Sequence, residues 1–139
     1  MKLKFGIIGF GKIGKLRKKI IEELKIGEVV AISDPNTKKS DIEKGIFLTK
    51  DYKELLKQNI DCVLIATPNN ITSKAVIDSL YANKHIFCEK PPGRNLQEVL
   101  DIKKAFDKTK NIKLKFGFNH RCHYSVMEAK RIMNSRQMG

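Results

Sequence analysis

The sequence predicts an α/β protein built on a doubly wound parallel sheet, and three observations lead to that prediction. Apolar runs of strand length alternate with stretches in which apolar residues recur at helical spacing. Each strand run ends at polar or turn-forming residues. The first strand run leads directly into three glycines with the spacing G-x-G-x-x-G. Because strand–helix–strand crossovers are right-handed and place helices on both faces of a sheet, this alternation indicates about six parallel strands in a single domain.

The predicted strands are nearly continuous in apolar residues, as expected of strands that are covered on both faces. They lie at residues 3–9, 28–33, 62–66, 85–88 and 112–118, with a shorter apolar piece at 46–48. Helical spacing predicts helices at 12–25 and 51–57, and further helices that contain the apolar stripes 75–80 and 96–106. A trailing helix with an apolar stripe is predicted at 125–136, after the last strand.

The glycine turn after the first strand is typical of a phosphate-binding site. Gly9 permits a sharp turn off the strand, Gly11 leaves no Cβ between the backbone and a pyrophosphate, and Gly14 lets the helix pack closely on the strand. The helix that follows offers free N–H groups at its N-terminus. The predicted cofactor-binding segment also includes the residues between these glycines, which are Phe10, Lys12 and Ile13.

A carboxylate follows the second predicted strand at the distance typical of dinucleotide-binding folds. Asp34 lies twenty residues after Gly14, about where such a fold places the acid that accepts both hydroxyls of the adenosine ribose. A carboxylate repels the 2′-phosphate of NADP, so Asp34 favours NAD as the cofactor. NADP stays open as the alternative, because Asn36, Lys38 and Lys39 offer polar and cationic groups that offset this repulsion.

Ligands of open parallel sheets bind outside the carboxyl ends of the strands. Several residues follow a predicted strand directly or within a few positions, and these are Gly9, Asp34, Thr67, Glu89 and His120. We therefore expect them to converge at one edge of the sheet.

Length and composition limit the class of protein. The 139 residues, 41% of them hydrophobic, suit one globular domain. No apolar run approaches the ~20 residues that cross a bilayer, and the N-terminal pattern is a strand rather than a signal peptide, so we expect neither a membrane span nor export. The three cysteines are an odd number without a C-x-x-C pair, which indicates a reducing cytoplasm.

The formal net charge of +13 raises nucleic acid as an alternative partner to a phosphate-bearing small molecule. Lysines are spread over every predicted helix, and no basic patch interleaved with aromatic residues is present, so we predict no nucleic-acid binding. Basic residues crowd the first helix, and its inner members are candidates to approach phosphates. His120, Cys122 and His123 lack the spacing of a structural zinc site, so we predict no metal.

Further motifs carry a resemblance to a known family. They are the tripeptide Thr67-Pro68-Asn69, the stretch 84–91 that contains Glu89-Lys90-Pro91, and the stretch 117–121. Together with the glycines and Asp34, in this order and spacing, they make the sequence resemble the Gfo/Idh/MocA oxidoreductase family over residues 3 to about 135. The resemblance implies a dinucleotide-binding Rossmann domain at 1–120 and a trailing helix at 121–139, which in relatives leads into a substrate domain.

The resemblance also implies an activity. Members of the family use NAD or NADP to oxidise a sugar, a nucleotide sugar or a cyclic polyol, or to reduce the corresponding carbonyl. By the same resemblance Lys90 is the catalytic residue near the reacting hydroxyl, where its amine relays the proton or stabilises the developing alkoxide. Glu89 is expected at the nicotinamide ribose, Pro91 is the candidate for a cis peptide, and the remaining cleft residues are Thr67, Pro68, Asn69 and Lys90 itself.

Three features depart from the family pattern. Thr72 occupies a position that is often histidine in relatives and Asn83 replaces a usual glycine, the later catalytic histidine and its preceding aspartate are expected in a second domain that we do not expect in this chain, and the first helix is rich in lysine. The apolar stripe of the trailing helix is therefore expected to be partly unburied, and a contact with another subunit, hence a homo-oligomer, stays open. The alternative function is a shortened, non-catalytic module that binds a dinucleotide or a protein.

Overall fold

The computed structural model describes residues 2–37, 41–43 and 45–135. Its strands are β1 (Leu3–Ile8), β2 (Gly27–Ser33), β3 (Asp41–Glu43), β4 (Ile46–Thr49), β5 (Cys62–Ile65), β6 (His85–Cys88) and β7 (Leu114–Phe116). Its α-helices are α1 (Lys12–Glu23), α2 (Tyr52–Leu56), α3 (Asn69–Tyr81), α4 (Leu96–Phe106) and α5 (Tyr124–Asn134). A short 3-10 helix, Asn119–Cys122, precedes α5.

The strands form one sheet with the spatial order β3-β4-β2-β1-β5-β6-β7. All neighbouring pairs are parallel except β3 and β4. From β1 the chain builds the sheet outward through β2 and β4, and then returns to the other side of β1 with β5, β6 and β7. The predicted doubly wound fold is therefore confirmed, and the order of strands reverses between β1 and β5. Such a switch point is where open α/β sheets form a ligand crevice.

The sheet has one strand more than the six predicted. The extra strand, β3, is three residues long, pairs antiparallel with β4 and lies at the edge of the sheet. Its sequence, Asp-Ile-Glu, is too short to show an apolar run or an alternation, so the periodicity that predicts the other strands gives no signal here. The six strands that the sequence does predict are the parallel ones.

The core occupies both faces of the sheet, and β1 shows how. Ile7 and Ile8 are both buried, and they belong to separate apolar clusters because successive strand residues point to opposite faces. Ile7 packs with Ile21 of α1, whereas Ile8 belongs to the larger cluster that α2, α3 and α4 cover. The continuous apolar runs in the sequence therefore follow from burial on two sides.

The trailing helix α5 lies outside this core. None of its described residues is buried, and Tyr124, Met127 and Met133 are each more than half exposed. Its principal packing is against the 3-10 helix that precedes it. The expected exposure of its apolar stripe is confirmed. The predicted helix extends to Arg136, which lies outside the described residues.

Candidate functional site

The glycine turn joins β1 to α1 at the centre of the sheet. Gly9 has a φ of +87°, which side chains other than glycine rarely adopt. A Cβ on Gly9 would also lie 2.5 Å from the carbonyl oxygen of Ala66, and a Cβ on Gly14 would overlap the carbonyl oxygen of Gly9. Both glycines are therefore required by the protein's own packing.

Gly11 differs from its two neighbours in the motif. It precedes α1 with a φ of −71°, and a Cβ added there would meet nothing within 4 Å. The packing of the protein therefore does not require glycine at this position, and the space beside it is open. The N–H groups of the first turn of a helix have no intrahelical partner, and no side chain caps those of α1. The arrangement suits an anionic ligand.

Asp34 ties the end of β2 to the glycine turn. Its Oδ2 accepts a hydrogen bond from the backbone N–H of Phe10 at 2.7 Å, and its Oδ1 accepts one from the N–H of Asn36 at 2.9 Å. The N–H of Asp34 donates to the carbonyl of Thr49 at 3.0 Å, which links β2 to β4. Each carboxylate oxygen retains a further lone pair, so Asp34 can still accept hydrogen bonds from hydroxyl groups of a ligand.

A cavity of about 430 Å³ lies at the switch point between the carboxyl ends of the central strands. Its lining includes seven of the predicted cofactor residues, which are Gly9, Gly11, Lys12, Ile13, Asp34, Thr67 and Pro68. Phe10 reaches the same place through its bond to Asp34, and Gly14 lies beneath the turn. Asn69, Glu89 and Lys90 are not part of the lining.

Part of the cavity lining was not predicted from the sequence. It is formed by Lys50, Tyr52 and Ile71. The hydroxyl of Tyr52 donates to Asp78 Oδ2 at 2.7 Å, and burial, followed by this bond, raises the pKa of Tyr52 above its usual range. Lys50 and Tyr52 join the site because β4 pairs in parallel with β2, which brings the residues just after β4 to the same edge of the sheet as Asp34.

The segment after β6 carries the predicted catalytic residue. Lys90 is exposed, and among the described residues its side chain has no hydrogen-bond or ion-pair partner. The Lys90–Pro91 bond is cis, as the resemblance implied. The neighbouring Glu89 is held differently, since its Oε1 accepts from Arg17 Nε at 2.6 Å and lies 2.5 Å from Arg17 Nη2. The residues Lys38 and Lys39, invoked for NADP, lie outside the described residues.

The glycine turn, the carboxylate after β2 and the crevice at the switch point define a dinucleotide-binding α/β domain. A family model described as an oxidoreductase family with an NAD-binding Rossmann fold matches residues 3–118. The chain belongs to this family, Gfo/Idh/MocA. The predicted family, fold and cofactor, NAD, are confirmed by this match.

Individual relatives agree with the family match. The chain is 32% identical over 139 residues to the uncharacterized oxidoreductase YrbE of Bacillus subtilis, and 30% identical over 144 residues to myo-inositol 2-dehydrogenase of Thermotoga maritima. These matches cover 96% and 99% of this chain but 40% and 42% of the relatives. The crystal structure of scyllo-inositol dehydrogenase from Lactobacillus casei with bound NAD(H) and scyllo-inositol matches with a TM-score of 0.89 at 25% identity, covering 100% of this chain and 43% of that one.

The departures from the family pattern are accommodated locally. Thr72 is buried, its Oγ1 lies 3.0 Å from Thr67 Oγ1, and it donates to the carbonyl of Pro68 at 3.1 Å. Asn83 follows α3 with a φ of 56°, the left-handed conformation expected where a glycine is usual.

Two other sequence predictions concern absences. Within residues 2–37, 41–43 and 45–135, no helix is long and apolar enough to span a bilayer. In the same part of the chain, no three side chains of His, Cys, Asp or Glu come together in a group able to hold a metal ion.

Proposed function

We propose that the chain is the NAD-binding domain of a dehydrogenase that acts on the alcohol of a cyclic polyol, sugar or nucleotide sugar. The observation that carries the proposal is the cavity at the switch point, where the glycine turn, the uncapped N-terminus of α1 and Asp34 meet. The inositol dehydrogenases among the relatives make a cyclic polyol the first substrate class to test. Because the chain spans 42 to 43% of those relatives, substrate and turnover belong to the proposal.

We assign residues in and near the cavity to successive parts of NAD. Asp34 would accept the hydroxyls of the adenosine ribose, and the N-terminus of α1 beside Gly11 would hold the pyrophosphate. Thr67, Pro68 and Asn69 would line the path toward the nicotinamide end, where Glu89 would meet the second ribose. When bound, NAD accepts a hydride from the carbinol carbon of the substrate.

Lys90 supplies the proposed proton chemistry. The Lys90 side chain is exposed two residues after the end of β6, where a substrate hydroxyl can approach it. There it would stabilise the alkoxide that develops as hydride leaves, or relay the hydroxyl proton. Both roles require the amine within hydrogen-bond distance of the reacting oxygen.

The test is a titration of the chain with NAD and with NADP, followed by an assay of NAD reduction with inositols, sugars and nucleotide sugars. We expect saturable binding of NAD, tighter than that of NADP. A Lys90→Ala variant is expected to lose turnover, whereas Lys110→Ala, which removes another exposed lysine, keeps it. Absence of dinucleotide binding contradicts the proposal, and full activity of Lys90→Ala contradicts the role of that lysine.

A second candidate function is a dinucleotide-binding module without turnover. It is supported by the exposed apolar residues of α5. The same experiment separates the two candidates, because binding of NAD without reduction by any polyol or sugar favours the module. A cytoplasmic location, the absence of a nucleic-acid partner and a homo-oligomer formed through α5 stay predictions.

A further inference from the structure

The ion pair between Arg17 and Glu89 connects two parts of the proposed site that are 72 residues apart in sequence. Arg17 lies in the second turn of α1, the helix whose N-terminus faces the cavity, and Glu89 directly precedes Lys90 at the end of β6. Only 20% of the Arg17 side chain and 17% of the Glu89 side chain are exposed. The pair therefore lies largely out of solvent, unlike the pairs that other basic residues of α1 form along the helix with Glu22 and Glu23.

The surroundings of the pair hold the Glu89 carboxylate in one place. Nε and Nη2 of Arg17 both reach Oε1, and the guanidinium stands 5.3 Å from the centre of the Phe87 ring. On the opposite side, a Cβ on Gly117 would lie 3.1 Å from Glu89 Oε2 and 3.2 Å from the Phe87 ring. The carboxylate thus occupies a slot bounded by α1, β6 and the end of β7.

A partly buried ion pair is a poor source of stability, because the loss of hydration offsets most of the attraction between the charges. A fixed carboxylate is, however, a good hydrogen-bond acceptor for a ligand. Oε1 is engaged by Arg17, whereas Oε2 accepts no hydrogen bond from the described residues and stays available. The geometry of the pair is therefore better explained by orientation of Glu89 than by stabilisation of the fold.

We propose that Arg17 is a positioning residue, which orients Glu89 so that Oε2 accepts a hydroxyl of the nicotinamide ribose. This inference rests on the proposed function, because it assigns Arg17 to the nicotinamide end of the same cofactor site. With this assignment, α1 contributes to two parts of the cofactor site. Its N-terminus faces the pyrophosphate, and Arg17 in its second turn orients Glu89, the residue before Lys90.

The test compares three ligands that contain successive parts of NAD. ADP contains the adenosine ribose and the pyrophosphate, ADP-ribose adds the second ribose, and NADH adds the nicotinamide. Arg17→Met removes the guanidinium and keeps an apolar side chain on Phe87. We expect this variant to bind NADH and ADP-ribose about ten-fold more weakly or worse, which is the loss expected of one charge-assisted hydrogen bond. Its affinity for ADP is expected to stay unchanged. Glu89→Gln is expected to show the same selectivity, and the double variant to lose no more than either single one.

Each outcome decides the inference. A selective loss of affinity for NADH and ADP-ribose supports it. An equal loss of affinity for all three ligands overturns it, because a purely structural role would disturb the N-terminus of α1 as well. Unchanged affinity for all three ligands also overturns it. If Arg17→Met fails to fold, Arg17→Lys, which keeps the charge but loses the two-point contact, decides by the same criterion. If the parent chain binds none of the ligands, the proposed function and this inference both fall, whereas binding by the parent without selectivity in the variants overturns the inference alone.

Discussion

At the scale of single residues, the glycine turn separates what the fold requires from what a ligand requires. Gly14 is needed for packing, because a Cβ there would overlap the carbonyl oxygen of Gly9. Gly11 has open space where its Cβ would stand. Packing therefore does not account for glycine at this position, and we propose that its absent side chain lets a pyrophosphate approach closely.

Alanine substitutions at these two glycines are predicted to have different consequences. Gly14→Ala should lower the free energy of unfolding by about 1–3 kcal/mol, the usual cost of forcing an extra methyl group into a packed site. Gly11→Ala should lower it by no more than about 1 kcal/mol, as at other helix N-caps, but should raise the Kd for NAD about ten-fold or more. Urea denaturation and NAD titration measure the two effects. A Gly11→Ala variant that binds NAD like the parent contradicts the assignment.

We propose that the choice between NAD and NADP depends on Asp34. Both of its oxygens already receive backbone N–H groups, from Phe10 and Asn36, so its orientation is fixed before a ligand binds. An amide in its place presents one oxygen and one NH2 group, and the NH2 group must face one of these two donors.

Asp34→Asn is therefore predicted to weaken NAD binding about ten-fold and to narrow the preference for NAD over NADP, because the charge that repels a 2′-phosphate is gone. Competitive titration with the two cofactors gives both affinities. Asp61→Asn is the matched control, because it changes a carboxylate that directly precedes β5, at the edge of the sheet opposite to the cavity. An unchanged ratio of the two affinities would refute the role of Asp34 in cofactor choice.

At the scale of elements, helices α4 and α5 have similar amphipathic sequences and different environments. Ile102 of α4 is 3% exposed and lies in the larger core cluster, whereas Met133 of α5 is 73% exposed. The sequence shows an apolar stripe in both helices, because periodicity reports which side of a helix is apolar and not whether anything covers it.

Truncation of these side chains is predicted to change the free energy of unfolding by different amounts in the two helices. Ile102→Ala should cost about 2–5 kcal/mol in the free energy of unfolding, through lost burial and the cavity that it leaves. Met133→Ala should change it by less than about 0.5 kcal/mol, since an exposed side chain leaves no cavity. Urea denaturation of both variants makes the comparison. Equal losses would mean that α5 is packed in solution against a surface that the structure leaves open.

The same contrast explains how much of the molecule the sequence predicts. Local patterns suffice for β1 and α1, whose observed starts at Leu3 and Lys12 coincide with the predicted ones. The strand β3 escapes prediction because three residues are too few for a periodic signal. The ion pair of Arg17 with Glu89 also escapes, because it depends on packing of α1 near β6, and no pattern within either segment encodes that contact.

The candidate site follows the same rule. Gly9, Gly11 and Asp34 are predictable, because their spacing reflects one continuous strand–turn–helix–strand unit. Lys50 and Tyr52 join the cavity only through the pairing of β4 with β2, which requires the order of strands in the sheet.

At the scale of the whole molecule, folding buries the Cys88 thiol in the sheet and partly buries that of Cys62. Burial raises the pKa of the Cys88 thiol to about 12, and the adjacent Glu89 carboxylate adds to the rise. Burial likewise raises the pKa of Cys62 to about 11, with Asp61 adding to the rise and a backbone hydrogen bond from Phe87 opposing it. An exposed thiol titrates near about 8.5, so the unfolded chain loses these protons first as the pH rises.

Stability is therefore predicted to depend on alkaline pH in a defined direction. The contribution of the neutral thiols is fully present below about pH 8.5 and is lost as the pH rises through the folded values of about 11 and 12. Denaturant unfolding at pH values from 8 to 11, in steps of about one unit, measures this loss. A Cys62→Ala, Cys88→Ala double variant, though less stable at neutral pH, should lose less stability over that range. The prediction fails if parent and variant show the same alkaline slope.

The central claim is that the crevice between β1 and β5 is the NAD site, and the most direct measurement is a titration of the ¹⁵N-labelled chain with NADH, followed through its backbone amide resonances. The account predicts saturable shifts concentrated at residues 9–14, 34–36 and 67–71, with the amides of α5 unaffected. No shift at any residue, or shifts confined to α5 and the 3-10 helix before it, would contradict the assignment of this crevice to NAD.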